Sequence, residues 1–499
     1  MDVISNLSPK TQAWLKQRHG LFIGGVWVDA KSGAEHTTRD PATNISLATV
    51  AMGTRDDIDA AVIAARKAFA GPWVRLTHFE RARLLSRLAR LVEDNTDMLT
   101  EIEVMDSGMP ATIARLTIEN IAEMFDYYAG AAQAIEGTTT TPPRHITDNF
   151  EALTYTVREA IGVAGLIVPW NVPISTAVLK LAPALAAGCT VIIKPSELTP
   201  LSILRLAELS VEAGFPPGVI NVVNGTGKDA GARLAEHPDV DKISFTGSTA
   251  TGRKIVSAAL GNMKKVALEL GGKSPVIVMP DADLDLATVG VAMATFFLQG
   301  QNCMAGTRIY IHESIHDELV GRLKLFCENM VLGHGIDPLT HQGPLVSSSH
   351  CDRVMAFIQS GIDEGARLVC GGTRVPKLAG NFVSPTIFTE CTSNMKIVRE
   401  EIFGPVMAIQ KFTTTDLDEI ATLANDSRYG LSGSVWTQNL STAHALVARI
   451  RSGHVSVNCH GAVGTNIPFG GYRESGWGRE FGQVGLDAYL ETKAVTVQL

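Results

Sequence analysis

Apolar residues recur at helical spacing over Asp56 to Ala70, His78 to Glu93, Asn95 to Asp106 and Ile113 to Ala129, so helices are expected to dominate the first third of the chain. From residue 161 the pattern changes. Short apolar runs at Ile161 to Val168, Cys189 to Ile193, Val219 to Val223, Lys242 to Phe245 and Lys265 to Leu268 alternate with helix-like segments at Ile174 to Ala187, Leu201 to Ala213, Asp229 to Glu236 and Thr251 to Leu260. Such alternation predicts parallel strands joined by crossover helices. A second alternation from Ser274 to about Phe469 predicts a second α/β unit, and no repeat or low-complexity linker interrupts the chain.

Composition agrees with two units. At 499 residues the chain is longer than one hydrophobic core usually serves, and 45% hydrophobic against 19% charged residues leaves ample material for burial. The net charge is −8 with Lys and Arg dispersed, which argues against nucleic acid as a partner. Seven cysteines, at 189, 303, 327, 351, 370, 391 and 459, form no C-x-x-C pair, so neither zinc nor a redox motif is expected. A reducing compartment with mostly buried thiols follows. The first twenty residues lack the basic-then-apolar pattern of a secretory signal, which favours the cytoplasm. Lys180 and Pro183 break the apolar stretch from Ser175 to Ile193, and Gly290 to Leu298 is too short to cross a bilayer, so no membrane insertion is expected.

Candidate chemistry sits in five segments. Glu269-Leu270-Gly271-Gly272-Lys273 and Gly300-Gln301-Asn302-Cys303 could supply a base and a thiol nucleophile, since a cysteine needs help to reach its thiolate. Phe245-Thr246-Gly247-Ser248-Thr249-Ala250-Thr251-Gly252 follows a strand and opens a helix, where backbone N–H groups favour a pyrophosphate. Its G-x-x-x-x-G spacing is neither the ordinary dinucleotide fingerprint nor a P-loop, so a plain glycine turn is the alternative. Lys194-Pro195-Ser196-Glu197 ends a strand, and its lysine and carboxylate could address ribose hydroxyls or simply be solvated. Pro169-Trp170-Asn171 ends another, with the Asn171 amide either holding an oxyanion or making a turn.

In this order, and joined by Glu401-Ile402-Phe403-Gly404-Pro405 and Pro468-Phe469-Gly470-Gly471, these segments resemble the aldehyde dehydrogenase superfamily, in its hydrolytic, NAD-dependent branch, over about Leu21 to Leu499. The resemblance implies an α/β fold with a variant Rossmann cofactor domain, a second α/β catalytic domain and a small β oligomerisation element. The corresponding expected boundaries are 1–137 with 159–270 for NAD binding, 271–470 for catalysis, and 138–158 with 486–499 for oligomerisation. Dimer or tetramer is expected, because an exposed terminal strand needs a partner.

By the same resemblance Cys303 attacks an aldehyde, Asn171 and the Cys303 N–H hold the oxyanion, and Glu269 activates the water that cleaves the resulting thioester. Lys180 and Glu480 match positions linked to proton relay; the other six cysteines are read as buried, inert thiols. Cofactor contacts fall to Trp170, Lys194, Glu197, Gly247, Ser248, Leu270, Glu401 and Phe403. A carboxylate at Glu197 repels a 2′-phosphate, which favours NAD over NADP. Tunnel positions match Val172, Thr176, Leu179, Asn302, Met304, Gly461 and Val463, glycine and aliphatics among them where relatives often carry aromatic or acidic groups. A medium or long aliphatic, terpenoid or aromatic aldehyde is therefore expected, the alternatives being a semialdehyde, betaine aldehyde or coenzyme A-acylating enzyme of the same family. His454 and His460 could alter that picture, and Arg473 stands where many relatives carry lysine.

Overall fold

The helical spacing of the first third becomes the helices Arg55–Phe69, His78–Asp94, Thr96–Ser107 and Ala111–Gln133 in a computed structural model that describes residues 3–147 and 150–499. The first two positions of the expected cofactor domain, and residues 148 and 149 of the expected 138–158 element, lie outside the described residues. Local chemistry sets the helix ends. Thr77 and Glu80 cap His78–Asp94 reciprocally, the Thr77 N–H donating to Glu80 at 2.8 Å, and Gly108 ends Thr96–Ser107 in the left-handed region at φ 81°. The buried stripe Leu85, Leu88 and Val92 packs on Ile118, Ile121 and Phe125 of the long helix.

Five parallel strands form the middle of the first sheet, in the order Lys265–Glu269, Lys242–Thr246, Val163–Ile167, Thr190–Lys194, Ile220–Val222. Val163–Ile167 and Thr190–Lys194 are buried at every position, as strands covered on both faces must be. One face packs on Pro173–Ala187, Leu201–Ala213 and the early helices; the other packs on Arg55–Phe69, Ala232–Glu236 and Thr249–Ala259. Three antiparallel strands extend the edges. Leu21–Ile23 and Val26–Val28 join beside Ile220–Val222, and Gly476–Trp477 returns from the C-terminal region to pair with Leu268 and Glu269. Ahead of the helices that the spacing predicts, Arg18–His19, Glu35–Arg39 and Ser46–Ala51 form a further small sheet. These strands are short, and the hairpin from Leu21 to Val28 turns on Gly24 and Gly25 at φ 64° and 85°.

The second sheet has seven strands in the order Arg367–Cys370, Thr386–Thr389, Val406–Phe412, Gly306–His312, Ser274–Val278, Ser432–Trp436, His454–Val457. All pairs are parallel except the outermost, Arg367–Cys370. A third, antiparallel sheet pairs Ala152–Ala160 with Leu490–Gln498 along their whole length and adds Thr139–Thr140. Among the described residues no helix is long and apolar enough to cross a membrane. The reading of six inert buried thiols needs correction: Cys459 is exposed just past the strand His454–Val457, and Cys370 at the sheet edge is only half-buried.

Packing between helix and sheet is tight enough to invert a usual substitution rule. In Leu284–Phe296, a Cβ on Gly290 would lie 2.0 Å from the buried Trp436 ring, whereas one on the exposed Gly321 of Glu313–Glu328 would meet nothing within 4 Å. Gly→Ala in an open helix position stabilises by up to about 1 kcal/mol. Gly321→Ala is expected to raise the thermal midpoint slightly, while Gly290→Ala lowers it by an overpacking cost of about 1–3 kcal/mol, both read by thermal unfolding of the two variants.

Candidate active site

Glu269 is the last residue of its strand, and only Leu270–Lys273 separate it from Ser274, the first residue of a central strand in the second sheet. This short crossing places a carboxylate at the junction of the two sheets. The Glu269 side chain is buried, and neither oxygen has a hydrogen-bond partner. A Cβ on Gly470 would come within 2.7 Å of Glu269 Oε1, so the backbone there passes directly over the carboxyl. Burial first, and then the negative charge of Glu480, hold the Glu269 carboxyl well above the usual range, against the opposing pull of Lys180 and Arg479.

Cys303 follows a strained turn. Leu298, Gln299 and Gly300 stand consecutively in the left-handed region, at φ 53°, 59° and 69°, a conformation that costs about 1–3 kcal/mol for each non-glycine residue. Buried hydrogen bonds retain it: Gln299 Nε2 donates to the Gly108 carbonyl at 3.0 Å, Val346 N–H donates to Gln301 Oε1 at 3.0 Å, and Asn171 Nδ2 donates to the Gln301 carbonyl at 2.9 Å. Gly272 lies so close that a Cβ would sit 2.3 Å from the Cys303 carbonyl oxygen. The Cys303 thiol is pushed up to about 12 by burial and then by the negative charges of Glu401 and Glu269, while its own N–H and that of Met304 pull it down. Asn302 Oδ1 accepts from the Met304 N–H at 3.1 Å, and His460 Nε2 pairs with the Met304 carbonyl at 2.8 Å, with its Nδ1 on Ser434 at 2.9 Å.

A second group of residues gathers where the parallel strands of the first sheet end. Lys194, nearly buried, faces the partly exposed Glu197 at 3.3 Å. Ser248 caps Thr249–Ala259 by accepting from the Thr251 N–H, and the Gly247 N–H donates to the Glu269 carbonyl at 3.0 Å. The Leu270 N–H donates to the Ser475 carbonyl at 2.9 Å, and the Leu270 side chain packs where Gly252 leaves room. Opposite them, Glu401 accepts from the Gly272 N–H at 3.1 Å, and burial raises its carboxyl to about 7. Trp170 meets Phe403 edge-on at 5.1 Å between centroids and His350 at 5.0 Å. Phe403 is itself left-handed, at φ 61°, and its carbonyl is held by His350 Nε2 at 2.7 Å.

Lys180, fully buried, pairs with Glu480; Ser244 Oγ donates to the same carboxylate at 2.8 Å and accepts from Lys180 Nζ at 3.1 Å. Leu179, Met304, Val463 and Cys303 itself all pack against one apolar cluster, and a Cβ on Gly461 would touch Met304 Cε at 3.5 Å. Thr176 is buried one turn before Lys180, whereas Val172 packs in a separate small cluster with Leu298. Gln299, Gln301, His350 and His460 therefore carry structural duties at the site that their local sequence does not announce. His454 Nε2 pairs with the Ala462 carbonyl at 3.2 Å, and Arg473 Nη1 binds the carbonyls of Asn425 and Ser427 at 2.9 and 2.5 Å.

Comparison with known proteins gives one consistent answer. A family model described as "Aldehyde dehydrogenase family" matches residues 27–495. The chain is 46% identical to "Aldehyde dehydrogenase 1" of Tanacetum cinerariifolium over 96% of its own length and 95% of that protein. The NAD+ complex of an aldehyde dehydrogenase from Bacillus cereus superposes with a TM-score of 0.96 at 43% identity, covering 99% of each chain. A betaine aldehyde dehydrogenase from Staphylococcus aureus, also solved with NAD+, gives 0.94 at 35% identity over 98% of this chain and 95% of that one.

A thiol raised to about 12 is protonated throughout the neutral range. Below that value the thiolate fraction grows about tenfold per pH unit. Alkylation of Cys303 by iodoacetamide in the cofactor-free protein, followed by peptide mass mapping, is therefore expected to quicken about tenfold per unit from pH 7 to 9, without a plateau.

Proposed function

The chain belongs to the aldehyde dehydrogenase family, with NAD as its cofactor, and from that premise we propose that it oxidises a medium or long aliphatic, terpenoid or aromatic aldehyde to the carboxylic acid. The supporting observation is that Leu179, Met304 and Val463, like Cys303, pack against one apolar cluster, with Gly461 offering no side chain beside Met304. A long apolar chain gains from such surroundings, and a small or charged aldehyde gains little.

In this reading the small thiolate fraction of Cys303, its proton released to solvent, adds through Sγ to the carbonyl carbon, whose oxygen becomes the oxyanion. One Asn171 N–H is engaged by Gln301, which aims the amide, and the second is free to meet the oxyanion beside the Cys303 N–H. When bound, NAD supplies the hydride acceptor that turns the thiohemiacetal into a thioester. The residues at the strand ends suit a dinucleotide: Lys194 and Glu197 for the adenine ribose, the bare backbone at Gly247 with Ser248 and Trp170 for the pyrophosphate, Leu270 and Phe403 beside the nicotinamide, and Glu401 for its ribose. Glu269, buried without a partner, takes a proton from the water that cleaves the thioester, and the Lys180, Glu480 and Ser244 network receives it. Hydrolysis at this step distinguishes the proposal from acyl transfer to coenzyme A. Residues 1–137 with 159–270 serve the cofactor and 271–470 carry the nucleophile, and the sheet built on Ala152–Ala160 and Leu490–Gln498 is the surface for assembly into a dimer or tetramer.

The deciding experiment compares kcat/KM, read as NADH formation, for acetaldehyde, betaine aldehyde, succinic semialdehyde, a long aliphatic aldehyde and a terpenoid aldehyde. Bulky apolar aldehydes are expected to lead by about tenfold or more, roughly 1.4 kcal/mol of transition-state binding; a lead by a small or charged aldehyde removes the substrate assignment. Glu269→Gln is expected to keep a first-turnover burst of NADH while steady-state turnover falls about a hundredfold or more. In the wild type, the deacylation rate should rise with pH as the elevated Glu269 carboxyl ionises, and this limb should vanish in the variant.

A further inference from the structure

The buried group that ends at Glu480 has a further neighbour. Residues two apart on a strand share a face, so Thr246, Ser244 and Lys242 line one side of the strand Lys242–Thr246, and the pairing sets them beside Glu269, Ala267 and Lys265 of the next strand. Glu269 stands at one end of this row. Lys242 stands at the other, about 13 Å away at about 3.3 Å per residue. Between them, Ser244 Oγ and Lys180 Nζ both meet Oε1 of Glu480. The second oxygen of that carboxyl, Oε2, is buried and has no hydrogen-bond partner among the described residues. Glu480 also lines a small cavity with room for about one water molecule, and Lys242, Ser244, Ala267, Arg479 and Tyr489 line it too. Lys242 is buried, with its Nζ 4.8 Å from the centre of the Tyr489 ring. That contact favours the ammonium but takes no proton from it.

We propose that one water in this cavity joins Glu480 Oε2 to Lys242 Nζ, and that Lys242 is the outer end of the path by which the proton of thioester hydrolysis leaves the protein. The inference rests on the hydrolytic reading of Glu269 given above. A proton carried by the Glu480 carboxyl passes to the oxygen of this water as one of the water's own protons passes to the neutral Lys242 amine. Glu480 is left as a carboxylate and Lys242 as an ammonium, which releases its proton to solvent, so each turnover exports one proton and restores every group. Burial first brings the Lys242 ammonium down to about 8; Lys180 and Lys265 act in the same sense, Glu480 and Cys189 oppose them, and Arg479 and the Tyr489 phenol are the other ionisable groups at the cavity. An amine in that range both takes and gives a proton near neutrality. Lys242 begins its strand, beside the exposed Lys265, at the edge of the sheet opposite the strand ends that suit a dinucleotide. A cofactor held at those ends leaves this path open.

The test follows NADH formation by the full-length enzyme with saturating NAD and octanal. Lys242→Met is expected to keep the first-turnover burst while the steady phase falls about tenfold or more. Lys242→Arg should not restore it, because a guanidinium keeps the charge and the ring contact but does not give up its proton. Normal steady turnover in Lys242→Met, or recovery in Lys242→Arg, overturns the proposal, the second because it shows a role in charge or packing alone. The wild type supplies a measurement that needs no variant to fold: in mixtures of H2O and D2O its deacylation rate should vary with deuterium fraction along a curve, as several protons in flight require, and a straight line overturns the path. Glu269→Gln, run in parallel, separates the two readings. If it turns over like the wild type, the hydrolytic reading falls and the path with it; if it stalls while Lys242→Met does not, the path alone falls.

Discussion

Two missing side chains hold this site together. Gly271 and Gly272 lie in the short crossing between the two sheets, where a Cβ on the first would come within 2.2 Å of Glu401 and one on the second within 2.3 Å of the Cys303 carbonyl. Only bare backbone lets the Cys303 loop and the Glu401 segment close on the same strand end, with the Gly272 N–H free to hold Glu401. Because Glu269 stands immediately before this crossing, the Glu269 carboxyl, the Cys303 thiol and the Glu401 carboxyl are brought together by one piece of chain. The price of that arrangement is electrostatic: these ionisable groups are buried near one another, and each is shifted toward its neutral form.

Backbone strain is concentrated at the same place. Leu298, Gln299 and Phe403 adopt conformations that L residues avoid, and each lies within a few residues of a group in the site. What keeps them there is long-range. Gln299 is tied to Gly108, 191 residues away, and Phe403 to His350, 53 residues away. The helices of the first third therefore do more than cover a sheet: one of them ends at Gly108, whose carbonyl fixes the turn leading to Cys303.

This distance dependence explains what the chain reveals when read alone. The helix Leu201–Ala213 and the strand Lys242–Thr246 are legible because continuous apolar runs and period 3.6 are local properties, bounded by Pro200, Gly214 and Gly247. Strands such as Leu21–Ile23 are too short to show a period, and owe their existence to pairing with Ile220–Val222. Glu269, Asn171 and Cys303 stand in recognisable motifs, whereas His350 and His460 do not, since each is held at a backbone carbonyl that any residue could offer, with Ser434 from a distant strand as the second partner of His460.

The return of Gly476–Trp477 to the first sheet has a consequence for the order of assembly. Glu269 obtains its antiparallel neighbour from this late segment, and Lys180 obtains its ion-pair partner Glu480 from 300 residues downstream. During synthesis the helix bearing Lys180 and the strands around it can form early, yet they wait with a buried ammonium uncompensated until nearly the whole polypeptide has left the ribosome. A truncated nascent chain thus carries Cys303 without the finished surroundings of Glu269. The finished site arrives last, as a property of the completed molecule and not of either half.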